Sequence, residues 1–181
     1  MINIISAVRN ETEFEIAVKS SVDLIFLLTP NIATLNDIVK KVHGAGKKLF
    51  IHIDLAEGIG KDKFGILYAG SLGVDGIIST RTSLIKIAHD AGLLTVQRFF
   101  IVDTHSVETT VEAAKASKAD MIEVMPGILP KVISMLKKRL SVPIVAGGLI
   151  ETKEEAEAAA KAGAAAVSTG KKELWGVSEN E

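Results

Sequence analysis

The chain has 181 residues, of which 48% are hydrophobic and 24% charged, with a formal net charge of −1 at pH 7. This composition excludes a disordered or fibrous chain and predicts one folded domain spanning residues 1–181, while the lack of cysteine excludes disulfides and thiolate metal sites. Because no signal peptide or membrane helix is recognised, we expect a cytoplasmic protein without a membrane partner. Since the net charge is close to zero, a nucleic acid would have to bind at a local basic patch.

Eight short apolar runs alternate along the chain with segments of helical pattern. Most runs are rich in β-branched residues and lack alternation of polar and apolar positions, which is typical of parallel strands buried on both faces. The predicted strands are residues 2–7, 23–28, 48–53, 75–79, 93–98, 120–125, 143–146 and 164–168. Among the helices between them, one is predicted to begin at Asn10, and another to begin at a capping box of Thr152 and Glu155 and to end at Gly163.

Strands that alternate with helices pair in parallel, and eight such units close into a barrel. The predicted fold class is therefore α/β, a compact (β/α)8 TIM-type barrel with short loops and helices. A typical barrel of this kind has about 250 residues, whereas this chain leaves roughly 23 for each unit, so an open doubly wound sheet is the alternative. The barrel is favoured because all eight runs end in similar polar residues, and the last helix, residues 171–176, is expected to have one or two turns.

The arginines mark the carboxyl ends of the predicted strands, where parallel α/β folds bind their ligands. Three of the four arginines, Arg9, Arg81 and Arg98, lie at these ends, whereas the lysines lie mostly on predicted helices. The guanidinium group binds phosphate or carboxylate through two parallel hydrogen bonds, which lysine cannot do. These positions therefore predict an anionic ligand, and structural ion pairs with buried carboxylates are the alternative.

Small and hydroxyl-bearing residues follow the last two predicted strands. Gly147 and Gly148 come after the seventh, and Ser168, Thr169 and Gly170 end the eighth. Barrels often bind phosphate with the backbone amides of these two loops, because glycine allows a ligand to approach the main chain. The two hydroxyls are expected to donate further hydrogen bonds, so this end of the barrel is a predicted phosphate site.

Carboxylates and one histidine are predicted near the same end. If Asp54 points toward the site, the two-residue period of a strand places His52 on the same face and deeper in the barrel. His52, Asp54 and Glu123 are potential metal ligands, but a hydrogen-bonded polar network is favoured and no metal is predicted. Asp54, Glu123 and Asp103 are also the partners that structural ion pairs with the arginines would use, and His105 is expected at the surface or at a helix start.

Basic residues on the predicted sixth helix form the candidate RNA-binding surface. They are Lys131, Lys137, Lys138 and Arg139, and a second group of lysines surrounds the end of the predicted second helix. A solvated face is the default interpretation of such charges, and an RNA-binding patch is the functional one. Trp175 is expected to seal the side of the barrel or an oligomer interface.

Seven stretches at the strand ends also resemble those of a known family. They are residues 7–10 (AVRN), 52–59 (HIDLAEGI), 76–81 (GIISTR), 97–104 (QRFFIVDT), 122–130 (IEVMPGILP), 143–150 (PIVAGGLI) and 162–175. In collinear order and over essentially the whole chain, they resemble the glycerol-3-phosphate-responsive antiterminator family, whose short barrel also suits this length.

The resemblance implies a regulator rather than an enzyme. Such a protein binds glycerol 3-phosphate as its effector, needs no other cofactor, and then binds the leader RNA of glycerol-utilisation genes and prevents transcription termination. The resemblance implies that the ligand pocket is lined by Arg9, Asp54, Arg81, Arg98, Glu123, Gly147, Gly148 and Thr169. The strand-end positions add Ser79, Ser168 and Gly170 to the predicted ligand-binding residues.

In the implied mechanism the phosphate binds to the loops after the seventh and eighth strands, and an acidic residue binds the glycerol hydroxyls. Ligand binding then shifts the protein toward a state that binds RNA. The alternative function is a small phosphate-handling barrel enzyme of the sugar-phosphate epimerase or synthase type, with Asp54 and Glu123 as general acid and base. A homo-oligomer is compatible with either function.

Overall fold

The computed structural model describes residues 2–176 and contains a closed barrel of eight parallel strands that pair in chain order. The strands are β1 (Ile4–Val8), β2 (Leu24–Leu27), β3 (Lys48–His52), β4 (Gly76–Ser79), β5 (Leu94–Phe100), β6 (Met121–Met125), β7 (Ile144–Gly147) and β8 (Ala166–Thr169). The barrel closes between β8 and β1, where Val167 lies opposite Ile4. The predicted (β/α)8 barrel is confirmed, and the open doubly wound sheet is wrong.

Seven α-helices connect the strands on the outside of the barrel. They are α1 (Glu11–Lys19), α2 (Leu35–Gly44), α3 (Lys63–Ser71), α4 (Thr82–Asp90), α5 (Thr104–Ser117), α6 (Pro130–Lys137) and α7 (Lys153–Lys161). The predicted helix starts are confirmed, because Asn10 accepts a hydrogen bond from the Glu13 amide and Thr152 forms a capping box with Glu155. No helix of residues 2–176 has both the length and the hydropathy that crossing a membrane requires.

The final segment is shorter than a helix. Residues Lys172–Trp175 form a single 3₁₀ turn, and the Trp175 indole is fully buried, with Nε1 donating to the carbonyl oxygen of Thr169 at 2.9 Å. The backbone carbonyl of Trp175 accepts a hydrogen bond from the Ser21 amide. Trp175 therefore seals the side of the barrel, as one of the two interpretations of the sequence predicted.

The barrel interior has an apolar lower part and a polar upper part. Phe26 and Phe50 stack in the lower part with their ring centroids 5.8 Å apart, and Gly76 makes room for them, because a β-carbon there would lie 2.7 Å from the Phe50 ring. Along β5, Val96 faces the interior, so Arg98, two residues later, faces it as well. The same alternation brings polar side chains of β3, β6 and β8 inward at their carboxyl ends, and these form the candidate site.

The predicted strand boundaries differ from the observed ones by at most two residues. The largest functional consequence is at β5, which continues past Arg98 because Phe99 and Phe100 pair with Val124 and Met125 of β6. This extension carries Phe100 to the rim of the barrel, where its side chain is exposed.

Candidate functional site

A cavity of about 320 Å³ opens at the carboxyl end of the barrel, beside the ends of β8 and β1. Of the eleven predicted ligand-binding residues, six border this cavity: Arg9, Arg98, Gly148, Ser168, Thr169 and Gly170. The other five, Asp54, Ser79, Arg81, Glu123 and Gly147, do not line it. The structure therefore separates the predicted set into a cavity group and a supporting group.

Arg98 is the buried cation of the cavity. Its side chain is 7% exposed, and Nε donates to Oε2 of Glu123 at 2.6 Å, because the two residues are register partners on β5 and β6. Within residues 2–176, Glu123 is the only residue that accepts a hydrogen bond from the Arg98 guanidinium. The structural ion pair considered for the arginines thus exists here, but it uses Nε and leaves the two terminal amino groups for an anion in the cavity.

Glu123 binds Arg98 inside the barrel, and its carboxylate fills the space next to Gly147. The carboxylate is fully buried, and Oε1 has no hydrogen-bond partner in the described part of the chain. A β-carbon at Gly147 would overlap Oε1 and lie 3.0 Å from Cδ of Glu123. Gly147 was predicted to contact phosphate, but its position provides space for Glu123, and its backbone carbonyl accepts a hydrogen bond from the Gly127 amide.

The other two glycines of the predicted phosphate loops do border the cavity. Gly148 has a positive φ of 75°, a region that favours glycine, and the next residue, Leu149, also has a positive φ of 61°. At Gly170 a β-carbon would lie 3.1 Å from Nη1 of Arg9. The absence of side chains at Gly148 and Gly170 therefore opens the loop after β7 and brings the Arg9 guanidinium against the loop after β8.

The two hydroxyls at the end of β8 have different roles. Thr169 donates its hydroxyl proton to the Ile150 carbonyl at 2.7 Å and accepts from the Lys171 amide at 3.0 Å, so it joins the loops after β7 and β8. Its one hydroxyl proton is thus donated within the protein, and the predicted donation of this hydroxyl to a ligand stays a prediction. Ser168 borders the cavity.

Asp54 anchors the loop after β4 and does not line the cavity. Its carboxylate accepts hydrogen bonds from the Ser79 hydroxyl at 2.8 Å, the Thr80 amide at 2.7 Å, the Thr80 hydroxyl at 3.0 Å and Arg81 Nε at 3.2 Å. The sequence placed Asp54 on the face of His52, but a 3₁₀ turn over Ile53–Leu55 ends the strand alternation and directs Asp54 toward β4. Burial opposes its ionisation, but the hydrogen bonds from Thr80 and Ser79 outweigh it, so the pKa of Asp54 lies below its ordinary value.

His52 is a neutral imidazole inside the barrel. Its side chain is nearly fully buried, Nδ1 has no hydrogen-bond partner among the described residues, and Oδ2 of Asp54 lies 4.0 Å away. Burial, and then the positive charge of Arg98, lower the pKa of His52 to about 4 against the opposing effect of Asp54. In residues 2–176 no three histidine or acidic side chains are grouped so that they could hold a metal ion, because Asp54 is engaged by the β4 loop and Glu123 by Arg98.

The depressed pKa of His52 predicts a pH-dependent stability. Below about pH 6.5 the unfolded chain protonates this histidine, whereas the folded chain does so only near pH 4, so stability falls as the pH decreases between these values. We expect this side chain to account for a loss on the order of 1–3 kcal/mol over that range. Urea unfolding of the wild type and His52→Gln at several pH values measures the effect, and an identical pH dependence in both proteins would contradict the assignment.

The four predicted RNA-binding residues of the sixth helix do not form one basic patch. Lys131 lies in the first turn of α6 and Lys137 at its last residue, about 9 Å further along the axis. Both terminal amino groups of Arg139 bind the Glu108 carboxylate at 2.6 Å, which neutralises that charge. Only Lys137 and Lys138 remain together, at the end of the barrel opposite the cavity.

Two polar residues of the cavity were missed from the sequence. Glu151 and Lys171 both border it, and each comes directly after a segment that had been recognised, the loop after β7 and Gly170 respectively. The signal that could have found them is this adjacency, because loops that follow neighbouring strands meet at the same end of the barrel. They add one carboxylate and one ammonium group to the lining.

Comparisons with known proteins give related sequences and structures over nearly the full length. A family model described as glycerol-3-phosphate responsive antiterminator matches residues 4–175. The uncharacterized protein YgcP of Escherichia coli (strain K12) is 37% identical over 173 residues, which cover 95% of this chain and 91% of that protein.

Two crystal structures share both the fold and a substantial part of the sequence. The glycerol uptake operon antiterminator regulatory protein from Listeria monocytogenes str. 4b F2365 is 34% identical with a TM-score of 0.90, over 96% of this chain and 94% of that one. A glycerol uptake operon antiterminator-related protein from Thermotoga maritima MSB8 is 32% identical with a TM-score of 0.86, over 97% and 99% of the two chains.

Proposed function

Since this chain belongs to the glycerol-3-phosphate responsive antiterminator family, we propose that it senses glycerol 3-phosphate and, with this effector bound, binds the leader RNA of glycerol-utilisation genes and prevents transcription termination. The observation that carries the proposal is the cavity in which Arg9 and Arg98 lie beside the open loops after β7 and β8. We further propose that the chain acts in the cytoplasm, where leader RNA is made, and that the effector is its only small-molecule ligand.

The cations of the cavity suit a phosphate monoester. Arg98 and Arg9 approach from β5 and β1, and Lys171 adds a third positive charge at the rim. Arg98 is already fixed by Glu123 before a ligand arrives, so little side-chain entropy is lost on binding. Hydrogen bonds from arginine to phosphate are charge-assisted, and Gly148 and Gly170 border the cavity, where we propose that their backbone binds the remaining phosphate oxygens.

The glycerol part of the effector requires partners for two hydroxyls. We assign Ser168 to this role, because it borders the cavity, together with Glu151, a carboxylate of the lining. The sequence predicted an acidic residue for this role without naming one. We do not assign it to Asp54 or Glu123, the acidic members of the predicted pocket, because Arg81 and Arg98 already engage them.

The enzyme alternative receives less support from the same contacts. It needs Asp54 and Glu123 as acid and base at the substrate, yet Asp54 accepts four hydrogen bonds from the β4 loop and Glu123 is fully buried behind Arg98. Both carboxylates therefore serve to position arginines, which favours ligand binding over acid–base chemistry.

Effector binding would act on RNA affinity through the loops that contact the phosphate. A phosphate held by Arg9, Arg98 and the backbone at Gly148 and Gly170 connects β5 with the segments that follow β1, β7 and β8. A ligand that binds one arrangement of these loops more tightly shifts the protein toward that arrangement. We propose that this arrangement is the one that binds RNA.

Replacing Arg9 with alanine is expected to weaken glycerol 3-phosphate binding about 10- to 100-fold, the loss typical of one charge-assisted interaction. Arg81→Ala is the matched control and is expected to have a smaller effect, since Arg81 is held by Asp54 and does not line the cavity. Isothermal titration calorimetry with glycerol 3-phosphate measures both. A larger loss in Arg81→Ala than in Arg9→Ala would place the phosphate at the other side of the barrel mouth.

The regulatory part of the proposal is tested by an electrophoretic mobility shift. Leader RNA from the glycerol-utilisation genes is titrated with the full chain at moderate salt, with glycerol 3-phosphate, with glycerol and without either. We expect tighter RNA binding only with the phosphorylated ligand. Equal RNA affinity under all three conditions would contradict a glycerol 3-phosphate-dependent regulator.

A further inference from the structure

Helix α3 leaves apolar side chains in solvent on the face that points away from the barrel. Phe64 is 78% exposed, Leu67 44% and Tyr68 39%, while the opposite face of the helix is buried on the strands. Leu67 and Tyr68 follow Phe64 by three and four residues, so the three side chains lie on one stripe of the helix. We refer to Lys61, Lys63, Phe64 and Tyr68 as the α3 surface.

Exposed aromatic rings are rare in this chain. Aromatic residues make up 4% of the sequence, and those with large exposure among residues 2–176 are Phe64, Tyr68 and Phe100. Phe64 and Tyr68 are four residues apart on the helix, so their β-carbons lie about 5–6 Å from each other. Two neighbouring rings at this spacing form a platform on which unpaired bases can stack.

Two of the three charged residues immediately before Phe64 are lysines. Lys61 and Lys63 are exposed, and neither forms an ion pair with residues 2–176. Asp62, between them, accepts a hydrogen bond from the Gly65 amide and caps the helix. In a symmetric contact between two copies of this chain the lysines of both would approach each other, whereas the phosphates of an RNA strand would neutralise them.

The α3 surface also lies on the correct side of the molecule to respond to the effector. Each helix of the barrel begins where the preceding strand ends, so the start of α3 lies at the same end of the barrel as the Arg98 cavity. Lys137 and Lys138, the remainder of the basic segment of α6, lie at the opposite end. Exposed aromatic rings and lysines without an ion pair among residues 2–176, both of which RNA binding uses, therefore occur together at α3 and not at the end of α6.

We propose that the α3 surface binds a single-stranded segment of the leader RNA, with bases stacked on Phe64 and Tyr68 and phosphates near Lys61 and Lys63. This inference rests on the proposed function, because that function supplies the RNA. It adds the surface that makes the contact and the manner of contact.

The test compares the RNA affinity of three variants in the presence of saturating glycerol 3-phosphate. Phe64→Leu keeps an apolar side chain but removes the ring, and we expect roughly 5- to 100-fold weaker binding of fluorescently labelled leader RNA. A Lys61→Ala, Lys63→Ala double variant is expected to bind more weakly and to lower the slope of log affinity against log salt by about 1.4, the value for two single-strand phosphate contacts. The matched control, Lys137→Ala with Lys138→Ala, removes the same number of lysines from the far end and is expected to bind as the wild type.

A folding control comes first, and the results that would contradict the α3 surface can be told apart from one another. Calorimetry with glycerol 3-phosphate first shows that each variant is folded and binds its effector. If the wild type binds leader RNA but both α3 variants bind it equally well, the α3 surface is not the contact. If only the variant Lys137→Ala with Lys138→Ala binds leader RNA more weakly, the RNA contact lies at the basic segment of α6 that the sequence predicted. If Phe64→Leu instead changes the molecular mass in sedimentation equilibrium and leaves RNA affinity intact, the stripe contacts a second copy. A wild type without any affinity for leader RNA contradicts the proposed function itself.

Discussion

Replacing Arg98 with alanine is expected to remove detectable glycerol 3-phosphate binding and to destabilise the barrel by about 3–5 kcal/mol. The loss of binding follows because Arg98 provides the buried guanidinium of the cavity. The loss of stability follows because the Glu123 carboxylate, fully buried and bonded at 2.6 Å to Arg98, would lose its only hydrogen-bond partner among residues 2–176 and stay buried without compensation. Calorimetric titration measures the first effect and urea unfolding the second.

A double replacement separates these two consequences. In Arg98→Met with Glu123→Leu both charges are removed together, and apolar side chains of similar size can restore much of the stability. Ligand binding is expected to stay absent, because no guanidinium faces the cavity. Wild-type affinity for glycerol 3-phosphate in either variant would mean that the phosphate binds elsewhere.

Adding one methyl group at Gly147 is expected to have the second largest effect. In Gly147→Ala the new β-carbon overlaps Oε1 of Glu123 and lies 3.0 Å from its Cδ. The Glu123 side chain cannot move away without breaking its contact with Arg98, so we expect a loss of about 1–3 kcal/mol in stability, as is typical of overpacking. Ligand affinity is expected to fall at the same time, since Arg98 is displaced.

The control for this substitution is Gly44→Ala at the end of α2. A β-carbon there has no neighbour within 4 Å, and we expect unchanged or slightly higher stability. Thermal unfolding and calorimetry of both variants distinguish the two roles considered for Gly147. If Gly147→Ala kept full stability but lost ligand binding, the glycine would contact the phosphate directly, as the sequence suggested.

The fold could be predicted almost completely from the sequence. Eight buried apolar runs that end in similar polar residues, together with the caps at Asn10 and Thr152, favoured the closed parallel barrel that the structure shows. The short spacing between the runs was the one feature that also suggested an open doubly wound sheet. Strand ends are less certain because the chain continues pairing wherever the neighbouring strand offers a partner, as β5 does at Phe99 and Phe100. The exposed position of Phe100 at the rim of the barrel was therefore not predicted.

The candidate site could be predicted only in part, because several side chains depend on local geometry. The alternation along β8 was available from the sequence and puts Ser168 inward and Thr169 outward, which explains why the Thr169 hydroxyl bonds to Ile150. The 3₁₀ turn after His52 has no comparable signal, so the displacement of Asp54 toward β4 could not be inferred. The role of Gly147 depends on the rotamer of Glu123, which no pattern in the chain specifies.

The crystal structure of the chain in complex with glycerol 3-phosphate tests the central claim most directly. We predict that the phosphate lies in the cavity between Arg9 and Arg98, within hydrogen-bond distance of both guanidinium groups and of the backbone at Gly148 or Gly170. Density for the phosphate beside Arg81, or density outside the barrel mouth altogether, would contradict the account.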